Sequence, residues 1–119
     1  MRRLLSIAAV LALAVPPTGF AVLSATRLSG TTGPGFTITL KKAGKKVTRL
    51  APGSYTITVS DKSASHNFVL TGPGVSNKVI TGLGFVGTKS ATVRLRRGTY
   101  TYYCTPHRSL GMKGTFRVS

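Results

Sequence analysis

From residue 36 onward, apolar and polar side chains alternate with a period of two in a series of short runs. This period places every second side chain on the same face of an extended chain, so each run predicts a β-strand with one buried face. No run has the period of a long amphipathic helix. The predicted strands are 36–41, 47–50, 55–60, 66–71, 92–96, 99–104 and 115–118.

Glycine and proline separate these runs, as they do between short antiparallel strands. The pair Arg97-Gly98 predicts a hairpin turn joining 92–96 to 99–104. The glycine-rich stretch 82–87 is not a phosphate loop, because neither Lys-Ser/Thr nor a helix follows it. The pattern predicts an all-β fold, an antiparallel Greek-key β-sandwich or barrel, over residues 36–119. Residues 26–35, rich in Ser, Thr, Gly and Pro, are expected to be a flexible lead-in.

The first 25 residues have the layout of a secretory signal peptide. Arg2 and Arg3 precede the apolar run 4–15, and small residues follow as far as Ala25. We therefore expect export to the periplasm, the cell envelope or the medium, with cleavage near Ala25. An uncleaved membrane anchor is the alternative, because residues 4–23 are just long enough to span a bilayer.

The chain is strongly basic, with 17 Lys and Arg against one acidic residue, Asp61, and a net charge of +16. Such a charge attracts anionic partners in a salt-dependent way. An acidic redox protein or an anionic envelope surface is therefore the expected partner. Nucleic acid is not expected, because the basic runs 41–42 and 45–46 lack interleaved aromatic residues for base stacking.

A single cysteine, Cys104, cannot form an internal disulfide in an exported chain, so it is either buried and inert or its sulfur is occupied. His107 and Met112 follow it on one short loop between two predicted strands. A thiolate, two imidazoles and a weak axial thioether form the electron-transfer arrangement of copper. The chain has one other histidine, His66, which the alternation places on a strand.

These residues resemble the plastocyanin-like cupredoxins. That family has a Cys-x-Pro-His-x4-Met loop after an aromatic strand and a His-Asn pair on an upstream strand. The resemblance covers residues 36–119 and rests on Cys104-Thr105-Pro106-His107, Met112 and His66-Asn67-Phe68. It implies a blue (type 1) copper protein that holds one copper ion and cycles between Cu(I) and Cu(II). The implied ligands are the thiolate of Cys104, Nδ1 of His66 and His107, and Met112 as the long axial ligand, for which a nearby carbonyl is the alternative.

The resemblance also implies roles for neighbours of the ligands. The backbone N–H of Asn67 would point at the cysteine sulfur, and its side chain would bond Thr105. Pro106 has no N–H and cannot give the sulfur a second hydrogen bond. Electrons would leave through the exposed edge of His107, within an apolar ring. The residues expected around that edge, or on a second path beside the cysteine, are Leu110, Gly111, Leu83, Phe85 and Tyr103.

The expected function is that of a monomer shuttling single electrons between exported or membrane redox proteins. An enzyme with a small-molecule substrate is not expected, because the chain has no catalytic acid–base pair. Plant plastocyanins carry an acidic patch for a basic partner, and this chain has none, so its partner should be acidic. The alternatives are a copper carrier or store, an immunoglobulin-like surface module with incidental ligands, and a copper enzyme with an open site.

Overall fold

Ten strands and one short 3₁₀ helix, Arg108–Leu110, make up the regular structure of the computed structural model, which describes residues 24–119. The predicted signal segment lies outside the described residues, apart from Ser24 and Ala25. Within the described part of the chain, no helix is long and apolar enough to cross a membrane. The strands are β1 Thr26–Thr32, β2 Ile38–Lys42, β3 Lys45–Lys46, β4 Arg49–Leu50, β5 Gly53–Asp61, β6 Phe68–Gly72, β7 Val75–Thr81, β8 Gly87–Leu95, β9 Gly98–Tyr103 and β10 Lys113–Val118.

The strands form two five-stranded sheets, in the orders β3-β2-β1-β5-β8 and β4-β10-β9-β6-β7. The predicted all-β sandwich is confirmed, and the strands form two sheets rather than a closed barrel. The sheets are not purely antiparallel, because β1 pairs with β5 and β4 with β10 in parallel. Each sheet is therefore mixed, with one parallel pair among antiparallel neighbours.

The prediction of a flexible lead-in over 26–35 is wrong for β1, which lies between β2 and β5 in the first sheet. Its buried face consists of Leu28, Gly30 and Thr32. A Cβ at Gly30 would lie 2.9 Å from the Phe68 ring, so glycine leaves room for that ring. Because this face carries only one large apolar side chain, hydrophobic alternation does not reveal the strand.

The predicted hairpin at Arg97-Gly98 is also wrong, because β8 and β9 belong to different sheets. Their connection crosses the sandwich. The buried Tyr100 holds this crossing in place: its hydroxyl accepts a bond from the Arg96 N–H (3.1 Å) and donates one to the Pro73 carbonyl (2.6 Å). This is the arrangement of a tyrosine corner, which ties the start of a strand to the chain just before it.

The core between the sheets combines aliphatic side chains with stacked aromatic rings. The Phe68 and Tyr102 rings are 5.7 Å apart and nearly parallel, and those of Tyr100 and Phe116 are 5.4 Å apart. Burial raises the pKa of the Tyr102 hydroxyl above the usual 10.0, so this group stays neutral inside the protein. The other large, fully buried side chains are Leu28, Leu40, Ile57, Leu70, Leu95, Met112, Val59 and Val69.

Strand direction sorts the connections into two groups. Strands β1 and β5 are parallel, and their other neighbours are antiparallel to them. One end of the sandwich therefore carries four connections: β1–β2, β5–β6, β7–β8 and β9–β10. We call this the site end. The β2–β3, β4–β5, β6–β7 and β8–β9 connections leave at the opposite end, where β1 also begins.

Candidate metal centre

Three predicted ligands meet at the site end. Cys104 follows β9 directly, and His107 lies three residues further along the β9–β10 connection. His66 lies in the β5–β6 connection two residues before β6, and not on a strand as predicted. The Cys104 sulfur is 3.7 Å from Nδ1 of His66 and 3.6 Å from Nδ1 of His107, and the two nitrogens are 3.0 Å apart. The sulfur and His66 are buried, and His107 is half-buried.

This triangle has the size that a metal ion needs. The point equidistant from its three corners lies about 2.0 Å from each atom, and bonds to zinc, for comparison, measure about 2.0–2.1 Å for imidazole nitrogen and about 2.3 Å for thiolate sulfur. A trigonal set of two imidazoles and one thiolate is the set that electron-transfer copper sites use. The residues present therefore fit a copper ion.

A hydrogen bond behind His66 sets which nitrogen faces the metal. Its Nε2 lies 3.3 Å from the Pro34 carbonyl, so the ring proton is held on Nε2 and the lone pair of Nδ1 is free. The chain approaches the ring closely here, since a Cβ at Gly33 would lie 2.8 Å from its Cδ2. Gly33 also has a φ of 75°, in the left-handed region that glycine favours. The β1–β2 connection thus orients His66.

Backbone hydrogen bonds fold the β9–β10 connection around its own ligands. The N–H of Cys104 donates to the Met112 carbonyl (3.0 Å), and the N–H of Met112 donates to the His107 carbonyl (3.2 Å). Gly111, with a φ of 92°, ends the 3₁₀ helix between them. The Met112 side chain is fully buried where the chain enters β10. The loop geometry therefore depends on the backbone as well as on the metal.

The predicted pairing of Asn67 with Thr105 is present. The Asn67 side chain accepts a bond from the Thr105 N–H (2.7 Å) and donates one to the Thr105 hydroxyl (3.0 Å). The hydroxyl of Thr32 in β1 donates to the Asn67 carbonyl (3.2 Å). These bonds join the connections that carry the two histidines, next to the exposed Pro106. The bond from the Asn67 N–H to the sulfur stays a prediction.

Phe36 lies against both imidazoles, a role that the alternation pattern missed. Its ring meets that of His107 edge-on at 4.6 Å and that of His66 at 5.7 Å. The pattern predicted it on the buried face of a strand, but it precedes β2 and is 62% exposed. The signal for a loop was present, because Gly33, Pro34 and Gly35 come directly before it.

The predicted apolar ring is present in part. Leu83 and Leu110 are exposed at the site end, as is Gly111, whereas Phe85 is half-buried with the Lys89 ammonium 4.2 Å from its ring centre. Four of the five large apolar side chains exposed in residues 24–119 lie in site-end connections, and the fifth is in β7. The four, which we call the apolar patch, are Phe36, Leu83, Val86 and Leu110.

Tyr103, predicted on a second electron path, is buried beside the cysteine. Its hydroxyl donates to the Asn77 side-chain oxygen (2.9 Å), and the Arg108 guanidinium lies 4.3 Å above its ring. These contacts fix the ring and cover it from solvent. The Tyr103 residue is 7% exposed.

A two-sheet sandwich with a His₂Cys triangle and a buried methionine at one end defines the protein as a copper protein of the cupredoxin class. A family model described as copper binding proteins, plastocyanin/azurin family, matches residues 37–119. The chain belongs to this family, and copper is its metal. Strand β1 precedes the matched region, yet it belongs to the same sandwich.

Solved structures show the same architecture. Rusticyanin from Thiobacillus ferrooxidans is 25% identical, with a TM-score of 0.56 over 81% of this chain and 79% of that chain. Auracyanin from the photosynthetic bacterium Roseiflexus castenholzii is 22% identical, with a TM-score of 0.57 over 81% of this chain and 98% of that chain. In sequence alone, the chain also matches plastocyanin from Dryopteris crassirhizoma, with 71% identity over 21 residues that span 18% of this chain and 21% of that protein.

Proposed function

We propose that the protein is an exported blue copper protein that carries single electrons between redox partners. The observation that carries this proposal is the triangle of Cys104, His66 and His107, held by hydrogen bonds of the protein itself. Copper bound there supplies a one-electron couple between Cu(I) and Cu(II). The proposal of export rests on the sequence of residues 1–25.

The surroundings of the ligands suit rapid electron exchange. The Pro34 carbonyl fixes the His66 ring, and the backbone bonds of the β9–β10 connection fix Cys104 and Met112. Ligands held in this way move little when the charge at the site changes, which keeps the reorganisation barrier low. The half-buried His107 is the ligand nearest to solvent, so its outer edge is the proposed route for the electron.

The surface around His107 suits an acidic partner. The apolar patch can exclude water from an interface, and four basic side chains occupy the site end around it. They are Lys62, Lys89, Arg108 and Lys113. Positive charge around an apolar contact speeds the encounter with an acidic protein and orients it, increasingly so at low salt. We propose an acidic redox protein as the partner of this end and a monomer as the working form.

We further propose that the protein is an electron carrier and not an enzyme. Asp61, the only acidic side chain of the chain, is 2% exposed, and its Oδ1 accepts a bond from the Ser63 N–H in the turn before His66. A general acid or base must reach a substrate proton. A carboxylate in that position holds the loop rather than meeting a substrate.

Copper titration tests the proposed site. Purified protein with one equivalent of Cu(II) should turn intensely blue through thiolate-to-copper charge transfer. Cys104→Ser keeps the size of the side chain but removes the thiolate, so the colour should be lost, whereas Leu83→Ala should keep it. A blue Cys104→Ser variant would contradict the assignment.

Two further measurements separate a shuttle from a copper carrier. A shuttle should give reversible one-electron voltammetry and retain Cu(I) against a competing chelator. A carrier should surrender Cu(I) readily, even if the site is blue when oxidised.

A further inference from the structure

The basic side chains are unevenly distributed over the sandwich. Of the fifteen Lys and Arg residues in the described part of the chain, ten lie between mid-strand, where Lys41 and Lys46 pair, and the end of the sandwich opposite the metal centre, and all ten are exposed. We call these ten the basic pole: Arg27, Lys41, Lys42, Lys45, Lys46, Arg49, Arg94, Arg96, Arg97 and Arg117. The one carboxylate side chain, Asp61, is buried at the other end of β5, so none is exposed to neutralise the pole.

Strand register places like charges opposite each other within this pole. Lys41 faces Lys46 and Lys42 faces Lys45 across β2 and β3. Arg49 faces Arg117 across β4 and β10 in the same way. Like charges directly opposite in a sheet destabilise it. An anionic surface bound against these three pairs would reduce their repulsion.

The chain enters the domain at the same place. Ser24, the first described residue, lines one surface depression together with Lys42 and Arg94. Residues 4–23, just before it, are the apolar part of the predicted signal segment, which the mature protein keeps only if that segment is the uncleaved anchor. The polybasic surface can meet anionic headgroups with or without that segment, and an uncleaved anchor would add insertion into the acyl region.

We propose that the basic pole binds the surface of a bilayer containing anionic lipid, with the metal centre facing away from the membrane. This inference goes beyond electron transfer and does not depend on it. The nine residues of β5 run from the pole to the site end, a span of about 30 Å, which is several times the Debye length of about 8 Å at physiological salt. The pole can therefore contact lipid while the site end remains free for a protein partner.

Vesicle partitioning of the full chain tests the proposal. The quantity measured is the ratio of partition coefficients for phosphatidylglycerol-containing vesicles and pure phosphatidylcholine vesicles. Every variant keeps residues 4–23, so the ratio isolates the electrostatic part of binding. The pole variant carries Lys41→Gln, Lys42→Gln, Lys45→Gln and Lys46→Gln. The matched control also loses four basic side chains, all outside the pole: Lys62→Gln, Lys78→Gln, Lys89→Gln and Arg108→Gln.

We expect the ratio to fall by at least about tenfold in the pole variant and by less than about twofold in the control. A second pole variant, with Arg94, Arg96, Arg97 and Arg117 each replaced by Gln, should behave like the first. Because this second variant leaves β2 and β3 unchanged, it shows whether misfolding of the β2–β3 hairpin causes the loss of binding in the first. Circular dichroism checks the fold of all three variants. Raising the salt to about 0.5 M should bring the wild-type ratio close to one.

Three results would overturn the proposal. An equal fall in the pole and control variants would mean that only net charge matters. A wild-type ratio close to one at low salt would mean that anionic lipid is not recognised. Pole variants that lose binding to polyglutamate but keep binding to anionic vesicles would identify an acidic protein as the partner of this end.

Discussion

Met112 combines two roles, core packing and metal ligation, that one substitution can separate. Met112→Leu keeps a buried side chain of similar volume, so the unfolding free energy of the metal-free protein should change by less than ~1.5 kcal/mol. The variant should still turn blue with copper, and its reduction potential should rise, because loss of the thioether removes a donor to Cu(II). Urea denaturation and voltammetry measure the two effects. An unchanged potential would favour a backbone carbonyl as the axial ligand.

Asn67 is predicted to stabilise the ligand loops through its bonds to Thr105. Asn67→Ala leaves the Thr105 N–H without its partner, so the metal-free protein should lose about 1–3 kcal/mol of unfolding free energy. Thr105→Val is the matched control, because it removes only the hydroxyl bond and keeps the N–H. Thr105→Val should lose less unfolding free energy than Asn67→Ala, as measured by urea denaturation. Equal losses of unfolding free energy in the two variants would show that the bond from the Thr105 N–H does not contribute to stability.

Phe36 is predicted to protect the copper site. Phe36→Ala removes two edge-on contacts with ligand rings, and such aromatic contacts contribute about 0.5–1.5 kcal/mol each. Copper release to a chelator should accelerate about three- to tenfold, and the metal-free protein should lose no more unfolding free energy than these two contacts contribute. Leu83→Ala, which also truncates an exposed residue of the apolar patch, should leave release unchanged. Equal acceleration in both variants would point to a general loss of surface shielding.

At the scale of strands, close packing of aromatic rings on glycine sets the register of the second sheet. A Cβ at Gly114 in β10 would lie 2.2 Å from the Tyr102 ring of β9. Gly114→Ala should therefore destabilise the protein by about 2–3 kcal/mol or more, through displacement of the ring or of β10. Gly82→Ala, which meets nothing within 4 Å, should change stability by less than ~0.5 kcal/mol. Thermal unfolding measures the stability of both variants. If Gly114→Ala leaves the stability unchanged, the Tyr102 ring moves freely.

Elements with a clean alternation were predictable, and those without it were not. The β5 sequence follows period two from Tyr55 to Ser60, since one face is buried and the other half-exposed. Strand β7 was missed, because its pairing with β6 is irregular and Val79 faces solvent. The β8–β9 connection was mistaken for a hairpin because a local turn signal does not say which sheet the next strand joins.

At the scale of the whole molecule, uncompensated positive charge should limit stability at low salt. The chain has 17 basic residues and one buried acid, so mutual repulsion acts on the folded state more than on the expanded unfolded chain. The melting temperature of the metal-free protein should rise by several degrees between about 10 mM and about 300 mM salt, as repulsion is screened. Differential scanning calorimetry measures this rise. A melting temperature that falls with salt would mean that attractive charge pairs dominate.

The sequence by itself determined the fold class through alternation, and it predicted copper and its candidate ligands. These follow from side-chain chemistry and short spacing: one thiol, two imidazoles and a thioether, three of them on one loop. The tertiary structure decided what depends on long-range placement. It brought His66 to within 3.7 Å of a sulfur 38 residues away, inserted β1 between β2 and β5, and laid Phe36 over both imidazoles. It also gathered scattered lysines and arginines into one pole. Alternation reports which face of a strand is buried, whereas pairing partners and loop contacts are set by packing between distant segments, which no local pattern contains.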